Sequence, residues 1–267
     1  MDQQSKVAVV GAGIMGEALI AALISSGVNP ELITISEKRS DRSAELIAKY
    51  SIKQAPLATN VAAADALLLV VKPQDMPGVL EEIKGSINPE AVVITFAAGK
   101  TISFIGNGLG TGNPVIRVMP NTPTMVGAGM AAASMGAGVT AAQRQFVLGF
   151  LAATGKVIEV AEELQDAVTA TSGSGPAYFF AFVEAMVAGA KELGLSEQDA
   201  TTLTVQTIVG AAKLLDESGK SATTLRENVT SPNGTTAAAL ASFGSSDLNS
   251  MVAKAMKAAS DRSQELA

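Results

Sequence analysis

The sequence predicts an α/β protein in which an N-terminal doubly wound sheet is followed by an all-helical second domain. Three observations carry that prediction. Up to about residue 160, short β-like runs alternate with helical segments, the pattern that yields parallel strands joined by helical crossovers. The run Leu67–Val71 is continuously apolar, as a strand covered on both faces must be. After about Glu162 the strand-like runs stop, and the last 105 residues read as helices opened by Ser, Thr or Asn.

The expected strands are Lys6–Val10, Leu32–Ser36, Ala66–Val71, Ala91–Phe96, Val115–Met119 and Lys156–Val160, with helical stretches such as Met15–Ile24 and Asp41–Tyr50 between them. The second half is expected to hold helices over Leu164–Thr171, Pro176–Leu193, Glu197–Ser218, Leu225–Val229, Thr235–Ala241 and Asp247–Leu266. The domains are thus 1–162 and 163–267, in keeping with roughly 100–200 residues per domain. With 46 alanines and 25 glycines, the core is built from closely approaching helices more than from aromatic packing. Helices so rich in alanine, in so short a domain, are too thin to bury their apolar faces alone, and pairing with a second copy is expected.

Composition narrows the chemistry. The chain has no His, no Cys and no Trp, which removes thiol nucleophiles, Ser-His-Asp triads, imidazole acids and bases, and the usual zinc or iron-sulfur ligand sets. No metal is expected. A net charge of −6, from 19 Lys and Arg against 25 Asp and Glu, and no basic stripe argue against a nucleic-acid partner. The opening MDQQSK lacks the charged and apolar regions of a secretory leader, and no apolar run approaches the ~20 residues that span a bilayer. A soluble cytoplasmic protein without a membrane partner is the expectation.

Gly11-Ala12-Gly13-Ile14-Met15-Gly16 directly follows the first strand and opens a helix, which is the setting that makes GxGxxG a dinucleotide-binding, Rossmann-type signature. Gly11 permits the tight turn, Gly13 the close approach of a pyrophosphate, and Gly16 the packing of helix on strand, with the anion at the helix N-terminus. The second strand ends in Ser36-Glu37-Lys38-Arg39. An acidic residue there suits the ribose diol of NAD, and a basic one suits the 2′-phosphate of NADP. Both signs stand side by side, and the two adjacent cations tilt the choice slightly toward NADPH, with NADH still open.

Further loops follow buried strands, where open α/β sheets bind ligands. Val71-Lys72-Pro73-Gln74 delivers Lys72 to the rim of the sheet, because Pro73 cannot continue the ladder. Ala97-Ala98-Gly99 follows the fourth run, and Arg117-Val118-Met119-Pro120-Asn121-Thr122-Pro123 is stiffened by its prolines. In the helical half, Ser172-Gly173-Ser174-Gly175-Pro176-Ala177-Tyr178 breaks a helix and restarts it with proline in the first turn. The segment Val229-Thr230-Ser231-Pro232-Asn233-Gly234-Thr235-Thr236 leads into another helix, and the hydroxyls of Ser231, Thr235 and Thr236 are more than an N-cap needs. Such an end makes a receptor for a carboxylate.

Together with Glu192-Leu193-Gly194-Leu195, these motifs resemble the pyrroline-5-carboxylate reductase family over nearly the whole chain. Where the family commonly has SPGGTT, this chain has Asn233 at the first of the two glycines; asparagine is among the few non-glycine residues that tolerate a positive φ. The resemblance implies reduction of the cyclic imine Δ1-pyrroline-5-carboxylate to L-proline, the last step of proline biosynthesis, with hydride from NADPH or NADH. It also implies a homodimer built by the helical domain, assembled in some members into larger rings. It places Gly11, Gly13, Ile14 and Met15 at the pyrophosphate, Ser36, Lys38 and Arg39 near the ribose, and Asn60 near the adenosine. Val71, Lys72, Pro73, Ala97, Ala98 and Gly99 then lie along the strand ends. Ser231, Gly234, Thr235 and Thr236 bind the substrate carboxylate, and Thr236 is the candidate catalytic hydroxyl at the ring nitrogen.

Two other readings compete. A 3-hydroxyacid dehydrogenase would need a lysine base on a helix of the second domain, with Lys191 and Lys213 as candidates, but would leave Ser231–Thr236 unexplained. A nucleotide-sensing scaffold would explain Gly11–Gly16 alone.

Overall fold

The computed structural model describes residues 4–266. Residues 1–3, on which part of the leader reading rests, and residue 267 lie outside the described residues. By its contacts the chain forms two compact units, Met1–Ser174 with Ala259–Ala267, and Gly175–Ala258.

The first unit is a doubly wound sheet. Its eight strands are β1 Val7–Val10, β2 Ile33–Ser36, β3 Lys53–Gln54, β4 Ala66–Leu69, β5 Val92–Thr95, β6 Val115–Met119, β7 Gly129–Met135 and β8 Gly155–Glu159, in the spatial order β3-β2-β1-β4-β5-β6-β7-β8. The helices are α1 Ile14–Ser25, α2 Ser40–Tyr50, α3 Leu57–Ala63, α4 Met76–Ile83, α5 Ile102–Leu109, α6 Ala141–Ala152 and α7 Gln165–Val168. Alternate strand residues feed two separate cores. Val7, Val9, Leu68 and Ile94 pack with Leu19 and Leu23 of α1 and Phe150 of α6, whereas Ala8, Val10, Leu67, Leu69 and Val93 pack with Met76 and Leu80 of α4 and Ile105 of α5. Period-two alternation sends successive side chains to opposite faces, so a strand buried on both faces must be apolar throughout. Leu67, Leu68 and Leu69 are wholly buried, and each contributes about 2 kcal/mol of transfer free energy.

Chain order reverses between β1 and β4, which is where an open α/β sheet leaves a crevice at its strand ends. The six expected strands are present, most of them trimmed by a residue or two. Two differences stand out. The edge strand β3 is two residues long and follows no hydrophobic pattern. β7, of sequence GMAAASM, carries residues of weak β propensity, yet it pairs antiparallel with β6 and parallel with β8. The sheet is therefore parallel only through β6, because β7 returns from β6 through a short 3-10 turn, Thr122–Val126. No helix among the described residues is long and apolar enough to cross a membrane.

The helix expected over Leu164–Thr171 is only partly α-helical. After α7 it widens into a π turn, Thr169–Gly173, in which the Ser174 amide reaches back to the Thr169 carbonyl at 2.8 Å. Gln165 is wholly buried, and its amide donates to the Ser134 hydroxyl at 2.8 Å and to the Ala132 carbonyl at 3.2 Å. Those bonds seat α7 on β7 and explain why residues 163–174 pack within the sheet unit.

The second unit is helical: α8 Gly175–Glu192, α9 Glu197–Glu217, α10 Ala222–Asn228, α11 Thr235–Ser245 and most of α12 Leu248–Glu265. Ser196 and Ser221 cap α9 and α10 through hydroxyl acceptors to the Asp199 and Thr224 amides, both 3.1 Å. Burial is sparse here. The buried residues of α8 and α9 are Gly175, Ala200 and Thr204, while Phe179 and Phe180 are 62% and 63% exposed and Leu193 is 89% exposed.

Candidate functional site

Two constructions stand out, one in each unit. In the sheet unit, the loop Gly11–Gly16 leaves β1 at the point where chain order reverses. Gly11 has φ +88°, and a Cβ there would lie 2.8 Å from the Val70 carbonyl oxygen, so only glycine fits both the turn and the approach to the end of β4. A side chain at Gly16 would overlap the Gly11 carbonyl, which lets α1 begin hard against the loop. Gly13 is different. Nothing lies within 4 Å of where its Cβ would sit, and it lines a cavity of about 700 Å³.

Gly13 is also the N-cap of α1 and makes no side-chain cap. The helical ladder starts with the Glu17 amide on the Gly13 carbonyl at 2.9 Å, so the amides of Ile14, Met15 and Gly16 precede it and are the donors at the helix mouth. Two earlier amides of the loop are already used. Gly11 donates to the Ser36 carbonyl at 3.1 Å, and Ala12 donates to Glu37 Oε2 at 2.8 Å. Glu37 accepts from the Arg39 amide as well, at 3.0 Å. Its carboxylate thus braces the glycine loop against the end of β2 while still lining the cavity.

Of the expected cofactor residues, Gly11, Gly13, Ser36, Lys38, Val71 and Lys72 meet around this cavity. Arg39 does not line it and pairs with Asp41 at 2.7 Å, an exposed contact. Asn60 is buried, and its amide donates to the Ser36 hydroxyl and the Thr34 carbonyl, both at 3.0 Å. It therefore orients Ser36 and is not itself on the cavity wall. Ser36 in turn donates to the Ala55 carbonyl at 3.0 Å. Pro73 stiffens the turn in which the Asp75 amide meets the Lys72 carbonyl at 2.9 Å. Ala97, Ala98 and Gly99 form the turn after β5, with φ +73° at Gly99. Sequence reasoning missed the wall made by Gln54, Ala55, Pro56 and Leu57, because β3 carries no periodicity to announce it.

A charge cluster holds α1 to α2 behind the loop. Glu17 takes contacts from Lys49 at 2.8 Å, from Arg42 and from Tyr50 at 3.1 Å. Led by Lys49, they hold its carboxyl at about 2, well below its ordinary value, against the opposing effect of burial.

In the helical unit, the candidate substrate site is the turn before α11. The Gly234 amide bonds the Ser231 carbonyl at 3.0 Å, and Asn233 has φ +58°, the left-handed value expected where the family commonly has glycine. Gly234 is the N-cap of α11 and provides no side-chain cap, and the ladder begins with the Ala238 amide on the Gly234 carbonyl at 3.1 Å. Neither Ser231, Thr235 nor Thr236 is spent on capping. Backbone donors and three hydroxyls are thereby gathered at the positive end of an eleven-residue helix. The two lysines of the competing reading are engaged elsewhere: Lys191 bonds Glu197 at 2.9 Å and Lys213 faces Glu217 at 3.9 Å.

Comparison with known proteins finds a match in each half of the chain. Residues 162–266 match the family model described as pyrroline-5-carboxylate reductase dimerisation, and residues 6–99 match that of NADP oxidoreductase, coenzyme F420-dependent. The chain is 40% identical over 264 residues to the pyrroline-5-carboxylate reductase of Corynebacterium melassecola, covering 97% of this chain and 98% of that relative. It superposes on the pyrroline-5-carboxylate reductase structure from Coxiella burnetii with a TM-score of 0.90 and 34% identity, over 99% of both chains. The Plasmodium falciparum pyrroline carboxylate reductase with NADP bound gives a TM-score of 0.88 at 26% identity, over 100% of this chain and 99% of that one.

Proposed function

The chain belongs to the pyrroline-5-carboxylate reductase family, and from that premise we propose that it reduces the cyclic imine Δ1-pyrroline-5-carboxylate to L-proline as the last step of proline biosynthesis. NADPH is the proposed reductant, in line with the NADP-bound relative, with NADH as an alternative. The observation that carries this reading is the N-terminus of α11, where three hydroxyls and open backbone donors exceed the needs of capping. A dinucleotide site alone would fit many reductases; a carboxylate receptor narrows the substrate.

The crevice fits a dinucleotide, since Gly13 leaves open the space a side chain would fill and the helix mouth presents unused donors. Bound reduced nicotinamide would supply the hydride. The amides of Ile14, Met15 and Gly16 hold the pyrophosphate, and Ser36 and Lys38 face the ribose, with Arg39 next to them. Val71, Lys72, Pro73 and Ala97–Gly99 line the strand ends toward the reacting ring. Ser231, Gly234, Thr235 and Thr236 seize the substrate carboxylate. The Thr236 hydroxyl donates to the ring nitrogen, directly or through water, as the amine develops.

A protonated imine is already an electrophile, so the chain contributes mainly orientation of two reactants, and no imidazole is required. We also propose that domains 1–162 and 163–267 divide these tasks, that two copies pair through the helical domain, and that the protein works in the cytoplasm. Steady-state rates with pyrroline-5-carboxylate and each dinucleotide test the reaction. Turnover with both, faster with NADPH, is expected; oxidation of neither would end the proposal.

A further inference from the structure

Within the sheet unit, the turn after β5 is held by residues far from it in sequence. A Cβ at Gly99 would lie 2.6 Å from Leu266 Cβ, 2.7 Å from the Ser263 carbonyl oxygen and 2.9 Å from the Leu266 carbonyl carbon. The end of α12 and the residue after it therefore rest directly on the glycine. Ser263 is 2% exposed and donates its hydroxyl to Asp166 Oδ1 at 2.7 Å. Asp166 faces Arg117 Nη2 at 3.5 Å, and Arg117, 3% exposed, turns Nη1 toward Glu162 Oε1 at 3.5 Å. Glu162 Oε1 accepts the Ile102 amide at 2.6 Å, at the first residue of α5.

These contacts close a ring. It runs from Gly99 through Ser263, Asp166, Arg117 and Glu162 to Ile102, three residues beyond the starting point. The final helix on Gly99 and Glu162 on Ile102 thereby clamp the C-terminal side of the Ala97–Gly99 turn, which β5 enters from the other side. On the N-terminal side Ala97 is buried in the core with α4 and α5, so the loosest part is the end of the turn, where the Lys100 amide bonds the Ala97 carbonyl at a long 3.4 Å and Gly99 has the backbone freedom of glycine.

We infer that Ser263, Asp166 and Leu266 are positioning residues for the reaction, holding in place the Ala97–Gly99 turn that the proposed function sets toward the reductant. The inference rests on the proposed reaction for its kinetic meaning. Ser263 touches neither reactant; it acts by seating the end of α12 on Gly99. The geometry also explains why a buried hydroxyl, a buried guanidinium and two carboxylates are gathered behind a turn made only of alanine and glycine.

The test uses the full chain with Ser263→Ala, Ser263→Thr and Leu266→Gly. Ser263→Ala removes the bond to Asp166, and Leu266→Gly independently removes the Cβ resting on Gly99. In both, KM and Kd for NADPH are expected to rise about tenfold, a modest share of what misplacing a reacting group can cost. KM for the imine should stay within about twofold, and Ser263→Thr, which keeps the hydroxyl, should recover NADPH affinity. An unchanged Kd in both variants, or a loss that merely follows the folded fraction in a thermal melt, would overturn the inference. NADPH titration separates this from the reaction itself. If the wild type binds NADPH but turns over no imine, the proposed reaction fails, while the variants' Kd still decides the role of the turn.

Discussion

The loop Gly11–Gly16 and the turn Ser231–Thr236 serve the same physical purpose, the presentation of backbone donors at a helix N-terminus, but they are supported in opposite ways. The first is anchored by β1, whose residues are at most 3% exposed, and by bonds from Gly11 to β2 and from Ala12 to Glu37. The second stands on helices with almost no interior of their own, and Ser231, Asn233 and Thr235 are exposed. The proposed site for the large dinucleotide is built into the core of the sheet. The proposed site for the smaller reactant sits on a unit whose apolar side chains, Phe179 and Phe180 among them, still face outward. Its rigidity has to come from association, which agrees with the match of residues 162–266 to a dimerisation family model.

Breaking the rigid side should have the largest effect. Gly11→Val combines a left-handed φ with an overlap on the Val70 carbonyl, and we expect about 3 kcal/mol of destabilisation, read as a lower midpoint in a denaturant melt, with loss of NADPH binding. A normal melt would mean that the loop is softer than argued. On the other side, Thr236→Ala should lower kcat by about a hundredfold, the scale of a missing proton donor, while NADPH titrations stay unchanged. Undiminished turnover at saturation would remove Thr236 from the chemistry.

Association is probed by Phe180→Asp, which places a charge on the exposed face of α8. A loss of about 2 kcal/mol or more in dimer stability, of the size of an interface hot spot, should appear as monomer in light scattering while the dinucleotide site still binds. A dimer of unchanged strength would place the interface elsewhere. Acid should weaken the rigid unit further. The folded-state pKa of Glu17 is held at about 2 against an ordinary 4.5, so its contribution is complete above pH 4.5 and disappears as pH falls toward 2. Glu17→Gln should flatten that part of the stability curve, measured by melts between pH 5 and pH 2. The smallest effect is expected at Asn233: with φ +58°, Asn233→Ala should cost about 1 kcal/mol, and Asn233→Gly almost nothing.

Much of this was legible from local pattern. β1, β4 and β5 declare themselves as apolar runs, and Gly11–Gly16 as a strand-to-helix loop, because each signal fits within a few residues. The left-handed Asn233 follows from one substitution in a short motif. What escaped depends on partners distant in the chain. β7 is a strand only because β6 and β8 flank it, and nothing in GMAAASM requires it. Asn60 falls behind Ser36 instead of on the cavity wall, a consequence of the amide's bond to β2 that spacing does not reveal. The bond between Ser263 and Asp166 joins residues 97 positions apart, and no periodicity encodes it.

The sheet unit is discontinuous: it takes in residues 259–267 after the chain has departed for 84 residues, from Gly175 to Ala258. Its folding therefore cannot be completed strictly in the order of synthesis. Strands β1 to β8 emerge from the ribosome long before Ser263 and Leu266, and during that interval the turn at Gly99 lacks its clamp. A nascent chain can hold a folded sheet while its Gly99 turn remains unseated. The order of translation thus delays the finished reductant site until the helices that carry the proposed substrate receptor have already been made.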